Sequence, residues 1–376
     1  GQLPHVQAAL VAINAENGAV LAISGGSDYQ ISKFNRATQA LRQPGSNFKP
    51  FIYIKALESG YTPATLINDA PLVFHEAGMA EPWRPANASD EYLGPTRLRK
   101  ALYESRNMVS IRILQNLGVK TVIDSLTRFG FDTKQMAPNL SLALGSHAVT
   151  PLTLANAYAT LANGGYKVDA FWVSRIEDST GKIVYENHPN IVCQGCPDDG
   201  LNQHQAVRVV DEQSAFIIDD ILKDVIRKGT GRNALVLNRK DIAGKTGTTN
   251  GPTDAWFSGY NPAIATTTWM GFDGNTYLGK KEYGGTAALP IWIDFMKEAL
   301  KDTPEIERVM PPGLVTLRIN PKTGEAAPPD SDNAIFEFFR ADKLPVSAES
   351  QEWLDSDQQQ PTHHEPTVKQ VTEELF

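Results

Sequence analysis

Two apolar runs open the chain. Residues 6–14 and 19–24 are rich in Ala, Val, Ile and Leu, and Glu16-Asn17-Gly18 between them has the composition of a hairpin turn. Two antiparallel strands are therefore expected, ended by Gly25-Gly26-Ser27-Asp28. After Pro44-Gly45 the period changes. Phe48, Phe51, Ile52, Ile54 and Ala56 recur at near-helical spacing until Gly60. A helix is expected to start at or near Ser46, with Pro50 in its first turn, where a missing N–H has little to lose. Residues 61–95 are rich in Pro, Asp, Asn and Gly and read as an irregular, partly packed excursion. From Thr96 the spacing is helical again. Leu98, Leu102 and Tyr103 form one piece, and Val109, Ile111, Ile113 and Leu114 a second, which stops at Gly118. Glu104-Ser105-Arg106-Asn107 joins them, and a short helix over 121–129 follows.

Thr150-Pro151 is an N-cap followed by proline at the first helical position. Leu154, Ala155, Tyr158, Leu161 and Ala162 then make an apolar stripe, closed by Asn163-Gly164-Gly165. Residues 170–176 and 182–185 read as a hairpin around Asp178-Ser179-Thr180-Gly181, and 186–205 as a polar loop. Residues 210–227 read as a helix. Strand-like runs follow at 255–260 and 263–271, an amphipathic helix at 290–300 and a short strand at 314–319. The expected architecture has strands at both ends of the ordered chain and a mainly helical block, 46–165, between them. If the first and last strands share one sheet, Lys245 comes close to the Ser46 helix. Residues 321–376 read as a C-terminal extension. From about 345 it is rich in Gln, Glu and Pro, a composition that favours disorder.

Composition narrows the function classes. With 376 residues, 41% hydrophobic and 21% charged, the chain has the make-up of a globular protein with a sizeable core. A net charge of −8 gives no basic footprint for nucleic acid. No apolar run approaches the roughly 20 residues of a membrane span. The chain starts at Gly1-Gln2 without Met, which suggests a piece of something longer. The only cysteines, Cys193 and Cys196, lie in a polar loop flanked by His188 and His204. Their spacing matches no usual zinc pattern, so no metal is expected. A local disulfide, if the protein is exported, and two reduced thiols both stay open.

The chemistry lies in Ser46 and Lys49. Three residues apart at a helix start, they share one face, with Ser46 at the positive end. A lysine whose pKa is lowered by burial or a neighbouring cation can deprotonate a serine hydroxyl, and the Ser46 N–H can face an oxyanion. Taken alone, the pair reads better as a helix cap with a solvated lysine. Ser179 and Lys182 have the same spacing in an apparent hairpin turn. Ser105 and Asn107, taken alone, are ordinary helix-junction residues. Lys245-Thr246-Gly247 alone is an ordinary turn. Together and in order they form S-x-x-K, S-x-N and K-T-G. A decoy set, Ser179/Lys182, Lys322-Thr323-Gly324 and Ser331-Asp332-Asn333, fails on order and on context. His147 and Tyr158 read as structural, and Arg106 as a solvated side chain.

The ordered trio resembles the serine penicillin-binding proteins and their β-lactamase relatives. The flanks, including Arg42-Gln43-Pro44-Gly45-Ser46, Thr248-Thr249 and Asp254-Ala255-Trp256-Phe257-Ser258-Gly259-Tyr260, look like class A, 1a-type members over about 3–320. The resemblance implies an α/β (α+β) fold like that of serine β-lactamases and D,D-peptidases. In it an antiparallel sheet is flanked by helices, with an all-helical subdomain beside it. It implies a transpeptidase domain over 1–320. Ser46 is then the nucleophile and Lys49 its base, and Ser105 and Lys245 move protons. Asn107 binds the acyl-side amide, and Thr246, Gly247 and Thr248 line the subsite for the terminal carboxylate. The N–H groups of Ser46 and Thr248 form the oxyanion hole. It further implies stem peptides ending in D-Ala-D-Ala as substrate, covalent β-lactam inhibition at Ser46, no cofactor, and a periplasmic site with an anchor and glycosyltransferase domain absent here. Cell-wall synthesis partners stay open. A D,D-carboxypeptidase and a slowly acylating β-lactam sensor are the alternatives. A class A β-lactamase needs a glutamate after S-x-N, and none occurs between Glu104 and Glu177.

Overall fold

The computed structural model describes residues 5–74, 81–193, 204–249, 251–328 and 330–345. In chain order the first elements are β1 Gln7–Asn14, β2 Val20–Ser24, α1 Arg36–Gln39, α2 Lys49–Glu58, β3 Leu66–Asp69 and β4 Gly94–Arg97. Next come α3 Leu98–Tyr103, α4 Asn107–Leu117, α5 Val119–Leu126, α6 Pro151–Ala162, β5 Arg175–Glu177, β6 Ile183–Glu186 and α7 Glu212–Arg227. The last are β7 Ala243–Thr248, β8 Asp254–Tyr260, β9 Ile264–Gly271, α8 Leu289–Ala299, β10 Leu314–Ile319 and β11 Ile335–Arg340.

The main sheet is antiparallel with order β2-β1-β9-β8-β7. Chain start and chain middle thus meet in one sheet, and β7 with Lys245 ends up at its edge. Alternation along β8 shows why it lies inside. Trp256 and Tyr260 join the core shared with α2, α4, α6 and α7. Ala255 and Phe257 point the other way, against Trp292 and Met296 of α8. The sheet is therefore flanked by helices on both faces, with the helical block on one of them.

Local signals account for the helices. Thr150 accepts from the Thr153 N–H and Asp211 from the Ser214 N–H, so α6 and α7 each start at a side-chain cap. Gly118, with φ +82°, ends α4 as the spacing predicts. The Asp178 turn carries Ser179 and Lys182 in an exposed hairpin, β5–β6, away from any helix start.

Several expectations change. β10 does not join the main sheet but pairs with β11, a strand over 335–340 that the sequence reading assigned to the C-terminal extension. Glu337 on β11 is 1% exposed and bonds Arg97 and Arg99, so 330–345 packs against the helical block. Lys322-Thr323-Gly324 and Ser331-Asp332-Asn333 lie in the connection of that hairpin. From beyond 46–165, α7 packs on α2 and α3. The excursion over 61–95 contains β3 and the start of β4, paired antiparallel. The disorder expected beyond 345 falls outside the described residues. Among the described residues no helix is long and apolar enough to cross a membrane.

Candidate active site

The segment leading to Ser46 is clamped from two sides. The buried Arg42 guanidinium pairs with Asp254 on β8 at 2.6 Å, and Trp269 donates Nε1–H to the same oxygen at 2.8 Å. Trp256 donates to the Gln43 carbonyl at 2.9 Å. On the far side Arg42 and Val149 exchange backbone hydrogen bonds of 3.0 and 2.9 Å. The chain then tightens into a 3₁₀ turn, Gly45–Phe48, that runs into α2. Gly45 has φ +57°, and a side chain there would meet the Thr248 carbonyl oxygen at 2.6 Å. Tyr158 is buried and donates its hydroxyl to the Asn47 carbonyl at 2.8 Å, which gives it a packing role.

Lys49 and Lys245 are both fully buried, and both ammonium nitrogens converge on Ser105. Lys49 Nζ donates to the Ser105 carbonyl and to Asn107 Oδ1, each at 2.7 Å, and lies 3.3 Å from Ser105 Oγ. Lys245 Nζ donates to the same Oγ at 2.9 Å and to the Thr246 carbonyl at 3.1 Å. Burial pushes the Lys245 amine down to about 7. Burial, and then the charge of Lys245, hold Lys49 well below the usual lysine range. Ser105 sits between them with φ +63°, an uncommon conformation for serine that sets its hydroxyl at the α3–α4 junction. Ser46 is partly exposed, and among the described residues its Oγ makes no hydrogen bond.

The strand beside this group is β7. Thr246 Oγ1 shares a 2.6 Å hydrogen bond with Thr230 Oγ1, and Thr248 Oγ1 accepts from the Gly284 N–H at 3.0 Å. Gly284 opens a π turn, Gly284–Ala288, before α8. Gly247 lies against the Ser46 turn. A side chain there would run into the Pro44 carbonyl oxygen, so its smallness lets β7 lie against the Ser46 turn.

The fold therefore brings Ser46, Lys49, Ser105, Asn107, Lys245, Thr246, Gly247 and Thr248 together where the Ser46 turn, the α3–α4 junction and β7 meet. Arg106 is a correction: it is 9% exposed, not solvated, and donates to Glu104, Ser89 and the Glu91 carbonyl. His147 is half-buried, and burial lowers its pKa. Cys193 is disulfide-bonded, which removes it as a zinc thiolate, and Cys196 lies outside the described residues. Among the described residues no cluster of His, Cys, Asp or Glu could hold a metal. Sequence reasoning missed Thr230, Gly284, Asp69 and Asn87. No local motif marks them, because each reaches the site only through tertiary packing.

A mixed sheet-and-helix fold, with a serine–lysine pair at a helix start beside an edge strand, defines the class of penicillin-recognising serine enzymes. Comparison with known proteins makes this specific. The family described as penicillin binding protein transpeptidase domain matches residues 8–297, and the chain belongs to it. It is 45% identical to Penicillin-binding protein 1A of Pseudomonas aeruginosa, across 92% of this chain and 46% of that protein. The crystal structure of Penicillin-Binding Protein 1A from Haemophilus influenzae superposes with a TM-score of 0.86 at 38% identity, covering 92% of this chain and 55% of that one. PonA1 from Mycobacterium tuberculosis in complex with penicillin V superposes with a TM-score of 0.69 at 26% identity, covering 88% and 86%. The chain spans about half the length of the curated relatives it matches.

Proposed function

We propose that this chain is the D,D-transpeptidase domain of a peptidoglycan-synthesising enzyme and that Ser46 is its nucleophile. One observation carries the reading: two buried lysines with depressed pKa values, one of them Lys49, a turn after Ser46, share the Ser105 hydroxyl. A neutral Lys49 has two N–H groups, and the two 2.7 Å acceptors use them both. The third position on Nζ, where Ser105 Oγ lies 3.3 Å away, is then a lone pair that can take a proton. Lys49 takes the Ser46 proton as Oγ attacks the carbonyl carbon of the penultimate D-Ala of a stem peptide. The tetrahedral oxyanion faces the N–H groups of Ser46 and Thr248, each worth about 3–4 kcal/mol of barrier. The C–N bond breaks, and the leaving D-Ala amine takes the proton from Lys49 by way of the Ser105 hydroxyl. Lys245 donates to Ser105 Oγ, and its charge disfavours a second ammonium at Lys49.

Asn107 has one Nδ2–H on the Ala86 carbonyl at 2.7 Å and the other left for the acyl-side amide. The Thr246 and Thr248 hydroxyls, beside Lys245, hold the terminal carboxylate. The edge of β7 offers backbone groups to an extended peptide. An amine of a neighbouring stem peptide then attacks the ester, an amide cross-link forms, and Ser46 regains its proton. β-Lactams present an acylating carbonyl to the same serine and stop at the ester. In this reading the domain works at the periplasmic face of the cytoplasmic membrane, held there by parts of the protein outside these residues.

The test is release of D-Ala from a stem pentapeptide, with and without an added amine acceptor, followed by mass spectrometry. The reading predicts a cross-linked amide whose share of product rises with acceptor concentration. Hydrolysis alone at every acceptor concentration would make the domain a carboxypeptidase. No D-Ala release from protein that still takes up penicillin would make it a sensor.

A further inference from the structure

The excursion over 61–95 reaches back to the site through a short chain of buried polar groups. Asp69, at the end of β3, is 0% exposed, and Asn87 is 4% exposed. Asn87 Nδ2 donates to Asp69 Oδ1 at 2.8 Å and to the Glu91 carbonyl at 2.9 Å. The Leu93 N–H donates to Asp69 Oδ2 at 3.1 Å. Asn87 Oδ1 in turn accepts from the Asn107 N–H at 2.8 Å and the Met108 N–H at 3.4 Å. These are first-turn amides of α4, whose own N-cap residue, Arg106, supplies no side-chain cap. The neighbouring Ala86 carbonyl holds Asn107 Nδ2 at 2.7 Å. Asn107 is thus fixed at its backbone by Asn87 and at its side chain by Ala86, and its Oδ1 is left aimed at Lys49 Nζ, 2.7 Å away.

We infer that Asn87, held by Asp69, is a positioning residue for acylation that acts through Asn107 on Lys49. The inference rests on the function proposed above. Helix capping alone would make Asn87 a matter of stability. The second contact, from Ala86 to the Asn107 amide, sets the direction in which Oδ1 points. It also fixes which N–H stays free for a substrate. A swing of Asn107 by about 1 Å removes one of two short acceptors from Lys49, and displacements of that order cost up to about 100-fold in rate.

The experiment is a double-mutant cycle on the full chain, read as the rate of penicillin adduct formation at saturating drug. Asn87→Ala is expected to slow acylation about 10- to 100-fold. Asn107→Ala slows it further, and the double variant is expected to match Asn107→Ala alone, because Asn87 has nothing left to position. Losses in melting temperature should still add. Asp69→Asn keeps shape and packing, and should give a smaller slowing that also vanishes in the Asn107→Ala background. It stands in if Asn87→Ala does not fold. Wild-type rates in Asn87→Ala or Asp69→Asn, or rate losses that multiply in the double variant, would overturn the inference and leave the proposed function standing. A wild-type chain that forms no adduct would overturn both.

Discussion

Two lysines buried side by side disfavour each other's charge. Lys49 and Lys245 are each fully buried and share Ser105, so they titrate as a pair. The sign follows from their roles. Acylation needs Lys49 neutral, so its rate rises with pH as Lys49, held well below the usual lysine range, loses its proton. It also needs charge on Lys245, so the rate falls as that amine, pushed down to about 7, loses its own. The pH profile of the acylation rate constant is therefore expected to be a bell. Lys245→Arg keeps the charge to above about pH 12, so its alkaline limb should move out of the measurable range while the maximal rate drops. An unchanged alkaline limb would assign it to another group. None of these depressed pKa values is legible from Ser46-x-x-Lys49 or Lys245-Thr246-Gly247 as strings. They come from burial, which only the packed sheet and helices create.

Among the elements, the contact between β7 and the Ser46 turn is a close constraint on the site. The edge strand is held against Pro44, with no room for a methyl group at Gly247. Gly247→Ala is expected to push β7 away from the turn, and with it Lys245 and the Thr248 N–H. Acylation should slow up to about 100-fold, more than the drop in melting temperature would suggest. Equal acylation rates would show that the strand has slack.

The helices around this contact were legible because their starts carry chemistry: Thr150 before Pro151, and Pro50 within the first turn of α2. β11 was not. Its inward residues are Glu337 and Phe339, and a charge in an inward position breaks the period-two pattern. The reason for that charge lies far away in sequence, on Arg97 and Arg99. Glu337→Ala should cost about 3–5 kcal/mol in denaturant unfolding, because it takes the shared carboxylate from two buried guanidinium groups, Arg97 and Arg99. A loss under about 1 kcal/mol would mean that Asp220 and Asp224 suffice for Arg99.

At the scale of the molecule, sequence reading recovered the plan but not all of its packing. The opening hairpin and the three strands over 243–271 do share one sheet, which is what carries Lys245 to Ser46. The family match, 8–297, sits within the expected 1–320. α7 packs on α2 and α3 from beyond the β5–β6 hairpin and a polar loop, so no local spacing ties it to the 46–165 block. Asp69 and Asn87 were invisible for a related reason. They lie in a stretch whose composition signals only turns, while their partners sit on α4.

The whole arrangement converges on a single hydroxyl, so the central measurement is the intact mass of the chain after incubation with a penicillin, followed over time. Wild type should gain one drug mass in a long-lived adduct, and Ser46→Ala none. An adduct on properly folded Ser46→Ala, or none on folded wild type, would contradict the assignment of Ser46 as nucleophile.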